Sequence, residues 1–197
     1  LTVEAWVKFE SLPGIGSAYT IAGKWDSGID KRGWNLNFDN GNSVGGGGTH
    51  LVFQADTTGN NSAATNGNTA WSPSTGVWYH VAASFTDGTP GTVQLYIDGV
   101  SQNVSYVVQN ATGIFDGGNS TTISALNTAT APTLFFDGKI DDVRIWNVVR
   151  NATQISTMRG AELTGSESGL VAYWELDNNP NDTTPNGNLL TLNGGPV

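Results

Sequence analysis

Along most of the chain, apolar residues recur at every second position, the period of a strand that buries one face and leaves the other polar. In the first segment Leu1, Val3, Ala5, Val7 and Phe9 share one side, with Thr2, Glu4, Trp6 and Lys8 on the other, until Pro13-Gly14 ends the run. Residues 19–24 predict a second strand. Residues 34–38 predict a third, with Trp34, Leu36 and Phe38 inward and Asn35 and Asn37 facing away. Asp39-Asn40-Gly41 reads as a tight turn, because Asn and Gly tolerate positive φ. Strands are also predicted over 50–55, 77–85 and 92–98. Asp98-Gly99 then turns residues 100–108 back antiparallel, and 121–125 and 134–146 complete the set. Residues 41–48 and 57–69 read as loops by composition. The one helical candidate, 152–159, has Asn151 as N-cap, Gln154 placed to reach back, and Ile155 and Met158 inward. Short strands separated by turn chemistry, with one short helix, predict an all-β fold: a two-sheet antiparallel β-sandwich, or jelly roll.

One stretch breaks the simple pattern. In 135–147 (FFDGKIDDVRIWN), Ile140, Val143 and Ile145 seek the core, while Asp142, Arg144 and Trp146 take the other face. The neighbouring carboxylates of Asp141 and Asp142 repel unless something positive sits by them. The candidates are Arg144, Lys139 and a hard cation such as Ca²⁺, and for Asp141 the cation is expected.

Composition narrows the function. A length of 197 residues fits one all-β domain, and the expectation is a single domain over 1–197. Seven tryptophans among 13 % charged residues exclude a disordered tract. The net charge of −9, with only eight Lys and Arg, repels phosphate backbones, so nucleic acid is excluded as a partner. The absence of cysteine removes thiolate catalysis and thiolate metal sites and leaves oxygen ligands. No run reaches the roughly 18–20 apolar residues of a membrane span, so membrane insertion is not expected. The chain opens in mid-strand, which fits a cleaved product or a module cut from something longer, with any targeting segment upstream.

Four stretches carry a family resemblance: TVEAWVK at 2–8, GVWYHVA at 76–82, VQLYIDG at 93–99 and FDGKIDDVRIWN at 136–147. In this order they resemble the laminin-G-like, or concanavalin A-like, lectin and glucanase jelly rolls. The resemblance implies two packed antiparallel sheets, often a structural calcium, and a secreted or cell-surface protein that binds glycans or other proteins. It also implies that Asp141 is a calcium ligand. One Asp cannot supply the six to eight oxygens calcium takes, so Asp182, in a turn-rich stretch with Asn186 and Asn188, is expected to contribute, or Asp177 in its place. The bland alternative pairs Asp141 with Lys139 and leaves Asp182 in an Asx-turn. The tail 169–197 resembles the segment that usually opens such a domain. Either it begins a further repeat, or it packs on this domain as edge strands. The second is expected, because Leu170, Ala172, Trp174 and Leu176 would otherwise expose an apolar face.

Catalysis is not expected. The five glutamates, Glu4, Glu10, Glu162, Glu167 and Glu175, do not form the Glu-x-Asp-x-x-Glu spacing of the jelly-roll glucanases. Glu4, beside Trp6 and Lys8, reads as part of a solvated face, and His80 reads as packing. What remains is a carbohydrate-binding or adhesion module stabilised by calcium, with a glycan or cell-surface polysaccharide as partner and protein as the second class. A structural spacer of a larger surface protein is the alternative. Ligand contacts are sought in loops, where Trp71 forms one aromatic candidate and Trp25 with Asp26 and Asp30 another. A further surface carries Asn35, Asn37, Gln94 and Tyr96, for which an ordinary solvated face is the bland account.

Overall fold

The alternation in the first segment decides the architecture, since a strand with one apolar face needs a second sheet to cover it. The computed structural model describes residues 1–26, 31–42, 48–128 and 130–191. Its strands are β1 (Thr2–Phe9), β2 (Ser17–Trp25), β3 (Arg32–Asn40), β4 (Thr49–Gly59), β5 (Ala64–Ala70), β6 (Trp78–Thr86), β7 (Thr92–Ile97), β8 (Val100–Ser101), β9 (Ser105–Gln109), β10 (Thr122–Ile123), β11 (Gly138–Trp146) and β12 (Leu170–Trp174), with one helix, α1 (Ala152–Met158). They form two six-stranded antiparallel sheets of order β12-β11-β1-β6-β7-β8 and β10-β2-β3-β4-β5-β9. Val3, Ala5, Val7 and Phe9 face Ile21, Leu36, Phe38, Leu51 and Phe53 in one continuous core. Phe9 is a hub of that core, its ring centroid 4.8 Å from Phe38 and 5.0 Å from Phe136.

Three segments differ from the sequence expectation. Residues 57–69, read as a loop, contain the end of β4 and most of β5. The sequence of β5, ATNGNTA, has no aromatic or branched aliphatic residue, because its inner face is pressed against the other sheet. A Cβ on Gly67 would lie 2.8 Å from Val93 Cβ, so the approach of the two sheets at this point admits no side chain. Residues 100–108 are not one returning strand: β8 closes a hairpin on β7, and β9 crosses to pair with β5 in the second sheet. The expected strand 134–146 begins only at Gly138, after Leu134 takes a positive φ and Phe136 turns into the core.

The break at Asp141-Asp142 is a β-bulge. Ile140 and Val143 both reach the core only if one extra residue is inserted, and the register against β1 shifts between Glu4 and Trp6. Asp142 absorbs the insertion at φ 50°, a conformation aspartate tolerates better than most residues.

The outer face of the first sheet is roofed by residues 147–161, including α1 with its Asn151–Gln154 capping box. Trp6 Nε1 donates to Arg159 O at 2.8 Å, Arg144 donates to Met158 O and Ala161 O at 2.7 Å each, and Tyr96 donates to Arg150 O at 3.2 Å. This overturns the solvated reading of Glu4: it is 0 % exposed, with Oε1 2.7 Å from Arg150 Nη1 and Oε2 3.4 Å from His80 Nε2. In the tail, β12 pairs with β11, placing Trp174 opposite Val143 and Ala172 opposite Ile145 as the edge of that sheet.

Candidate functional site

The bulge and the tail strand together build an acidic cleft of about 240 Å³, lined by Asp141 and Asp142 from β11, Tyr173, Glu175 and Asp177 from β12 and beyond, and Glu162 after the helix. The two β11 carboxylates are treated differently. Asp142 accepts the Tyr173 hydroxyl at 2.5 Å and lies 3.5 Å from the buried Arg144 guanidinium, which itself stacks over the Tyr173 ring. Burial and the Asp142 bond push the Tyr173 phenol up. Among the described residues, Asp141 accepts its neighbour's backbone N–H at 3.1 Å and forms no ion pair with Lys139. Burial first, then the charges of Asp142 and Asp177, hold its carboxyl above the usual range. Asp141 and Asp177 thus come together, as the sequence suggested, and Glu162 and Glu175 join them from positions that no sequence spacing marks. Among the described residues no three acidic or histidine side chains converge closely enough to hold a metal by themselves.

Asp182 has another task. Its Oδ1 accepts Tyr173 N at 3.0 Å and Thr184 N at 2.9 Å, and its Oδ2 accepts Thr184 Oγ1 at 2.9 Å, Asn188 N at 2.9 Å and Asn188 Nδ2 at 2.6 Å. Five donors fill the roughly four lone-pair sites of a carboxylate, so the expectation that Asp182 ligates a cation is not carried by its geometry. It is the hub that folds residues 182–188 back onto β12. Burial pushes its carboxyl up, but the N–H groups of Tyr173, Asn188 and Thr184 more than offset this and hold it below the usual range. A group depressed in the folded chain stabilises above its unfolded pKa, near 4, and loses that contribution as pH falls through the folded value. Asp182→Ala is accordingly expected to cost about 1.5–3 kcal/mol at pH 7 in urea unfolding, and progressively less below pH 4. A pH-independent loss would contradict this assignment.

The aromatic candidates are committed to packing. Trp71 meets Phe9, Phe38 and Tyr79 edge-on at centroid distances of 5.7, 5.4 and 5.3 Å, under its loop and against the core. Trp25 is 7 % exposed with the Arg32 guanidinium 5.8 Å over its ring. Asp26 lies 3.7 Å from Lys31 Nζ. Asp30 lies outside the described residues. The surface sought in Asn35, Asn37, Gln94 and Tyr96 is divided, since β3 and β7 belong to different sheets. Tyr96 and Gln94 lie on the first sheet, where Tyr96 is buried under the roof. Asn35 and Asn37 instead share the outer face of the second sheet, where the register sets Gln54 across from Asn35 and Val52 across from Asn37, with Asn66 and Asn68 one strand further on.

Sheet order, core and roof define a jelly-roll β-sandwich. The chain belongs to the concanavalin A-like lectin/glucanases superfamily, whose laminin-G-type family model matches residues 1–156. Its fold is similar to that of a candidate carbohydrate-binding protein from Bacteroides ovatus, with 23 % identity and a TM-score of 0.66 over 89 % of this chain and 45 % of that one. The heptameric SAP-like pentraxin from Limulus polyphemus matches at 19 % identity and TM-score 0.53 over 79 % of this chain and 67 % of that one. Botulinum neurotoxin type C, whose cell entry depends on interaction with two ganglioside molecules, matches at 17 % identity and TM-score 0.51 over 83 % of this chain and 36 % of that one. This chain therefore spans less than half the length of the Bacteroides protein. No curated protein sequence matches it. No helix among the described residues is long and apolar enough to cross a membrane.

Proposed function

We propose that the chain forms a single non-catalytic, secreted or cell-surface module that binds carbohydrate and is stabilised by calcium. The observation that carries glycan binding is the membership of a lectin and glucanase superfamily in a molecule whose second sheet carries amide side chains on its outer face. The carbohydrate-binding and ganglioside-dependent proteins of the same fold support it. A glycan array tests it: retention of one glycan class is expected, whereas a clean array with and without Ca²⁺ would point to the spacer reading instead.

Calcium fits the cleft for a reason independent of the family. Half-buried Asp141 shares the cleft with exposed Asp177, and a divalent ion there relieves both the burial of Asp141 and its repulsion by Asp142 and Asp177. Asp141 and Asp177 are the proposed protein carboxylates, with main-chain oxygens and water completing the shell. When bound, the ion joins β11 to the chain just past β12.

A carboxyl whose folded pKa is raised contributes its full share of stability below its unfolded value, near pH 4, and loses it as pH rises through the folded value. At pH 7 without calcium, Asp141 therefore works against folding. Asp141→Asn is expected to raise the melting temperature in chelator while abolishing the rise that Ca²⁺ gives the parent protein. If Ca²⁺ shifts neither protein, or both equally, the assignment of Asp141 fails.

A further inference from the structure

The outer face of the second sheet, on the other side of the sandwich from the roof, carries a group of polar side chains that are buried except for half-buried Gln54. Its register sets Thr20, Asn37, Val52 and Asn68 in one cross-strand row, and Gly23, Asn35, Gln54 and Asn66 in the next. Neighbouring strands are about 4.8 Å apart and the rows about 7 Å apart, so the six polar side chains form a band running across the strands, interrupted in its first row by buried Val52. None of them is charged. Asn35 and Asn37 are each 2 % exposed, and both aim Nδ2 at the one Gln54 Oε1, at 3.5 and 3.4 Å. Their own Oδ1 atoms, and the hydroxyl of Thr20, are buried and have no partner. Gly23 keeps this arrangement open, because a Cβ there would come within 2.8 Å of Asn35 Oδ1.

Buried amide oxygens seldom go unbonded, since each orphan costs about 1–3 kcal/mol. Here three orphaned polar groups lie in adjacent rows, beside the partly exposed Gln54 through which the band meets solvent. What they lack is donors of hydrogen bonds, and the band has no Lys or Arg to attract an anion. A chain of hydroxyl groups, each able to donate to an amide oxygen and accept from an amide nitrogen, has the required chemistry. A sulfated or uronic-acid chain would bring negative charge to acceptor oxygens on a protein of net charge −9.

We propose that this amide band is the glycan-contacting surface and that it takes a neutral polyhydroxyl chain in preference to an anionic polysaccharide. The proposal rests on the glycan-binding reading above. Affinity electrophoresis in gels containing β-glucan, xylan, mannan or, as the anionic probe, alginate tests it on the parent protein and on Asn37→Ala and Asn35→Ala. At least one neutral polymer is expected to retard the parent, alginate is not, and each variant is expected to lose at least tenfold in affinity with its thermal transition retained. Should a variant fail to fold, the side-chain amide ¹⁵N–¹H signals of Asn35 and Asn37 in the parent must shift on titration with the retarding polymer. Retardation with variants that bind normally, or with unmoved amide signals, overturns the band as the site and leaves glycan binding standing. Retardation by alginate alone overturns the neutral class. No retardation by any polymer, together with a blank array, overturns glycan binding and this inference with it.

Discussion

Arg150→Ala is expected to destabilise the domain by about 3–5 kcal/mol, a large fraction of the 5–15 kcal/mol that holds an ordinary domain folded. Arg150 comes from the roof and Glu4 from β1. Their contact at 2.7 Å is closed off from water, with Glu4 at 0 % and Arg150 at 6 % exposure. The same guanidinium donates to Gln154 O at 3.0 Å and lies 3.8 Å over the Trp146 ring. Truncating it leaves a buried carboxylate whose nearest remaining cationic candidate is His80 Nε2 at 3.4 Å. A buried ion pair is worth little relative to a well-packed apolar pair, but half of one is costly. The double change Glu4→Gln with Arg150→Met should therefore lose less than Arg150→Ala alone. Urea midpoints read by tryptophan fluorescence measure both. A loss below about 1 kcal/mol for Arg150→Ala, the range of exposed pairs, would show that water reaches Glu4.

Gly138→Ala should be of similar size and act through backbone alone. Gly138 begins β11 at φ +155°, a region reserved almost entirely for glycine. A Cβ would overlap the carbonyl oxygen of Lys8 on the paired strand and come within 2.7 Å of the Phe136 ring. Neither can yield cheaply: the first is main chain, and the second is wedged against Phe9. Strain of about 1–3 kcal/mol plus the clash gives an expected loss of about 3 kcal/mol or more, or roughly 6–12 °C in melting temperature for a domain of this size. Gly14→Ala, where a Cβ meets nothing within 4 Å, is the control and should stay within about 0.5 kcal/mol. If the two variants melt together, the conformational requirement at Gly138 is wrong.

The inner faces of the strands could be read from the sequence because burial imposes period two, and Val3 to Phe9 and Trp34 to Phe38 obey it. Where the structure departs from the reading, the deciding contact lies far away along the chain. Strand β5 carries no apolar signal because its burial comes from the opposite sheet at Val93, not from its own side chains. Glu4 has the spacing of a solvated residue, and only a roof built from residues 147–161 makes it a buried one. The Asp141-Asp142 pair was visible as an anomaly, but its resolution by a bulge, with one carboxylate on Tyr173 and the other turned toward Asp177, depends on β12. Asp182 shows the same limit: its turn-rich surroundings were legible, but the five donors that converge on it depend on how residues 182–188 fold back onto β12. The amide band was partly legible, since Asn35 and Asn37 sit out of phase with the core. Their companions on β4 and β5 required the register.

The position of β1 also bears on how the molecule can assemble. On one edge Thr2 lies opposite Ser84, and on the other it lies opposite Trp146. The strand that starts the core is thus completed only after most of the chain has been made, and each pairing must first overcome the entropy of closing a long loop. Such a domain should fold in milliseconds to seconds, not microseconds, and during synthesis β1 waits with its second edge unpaired.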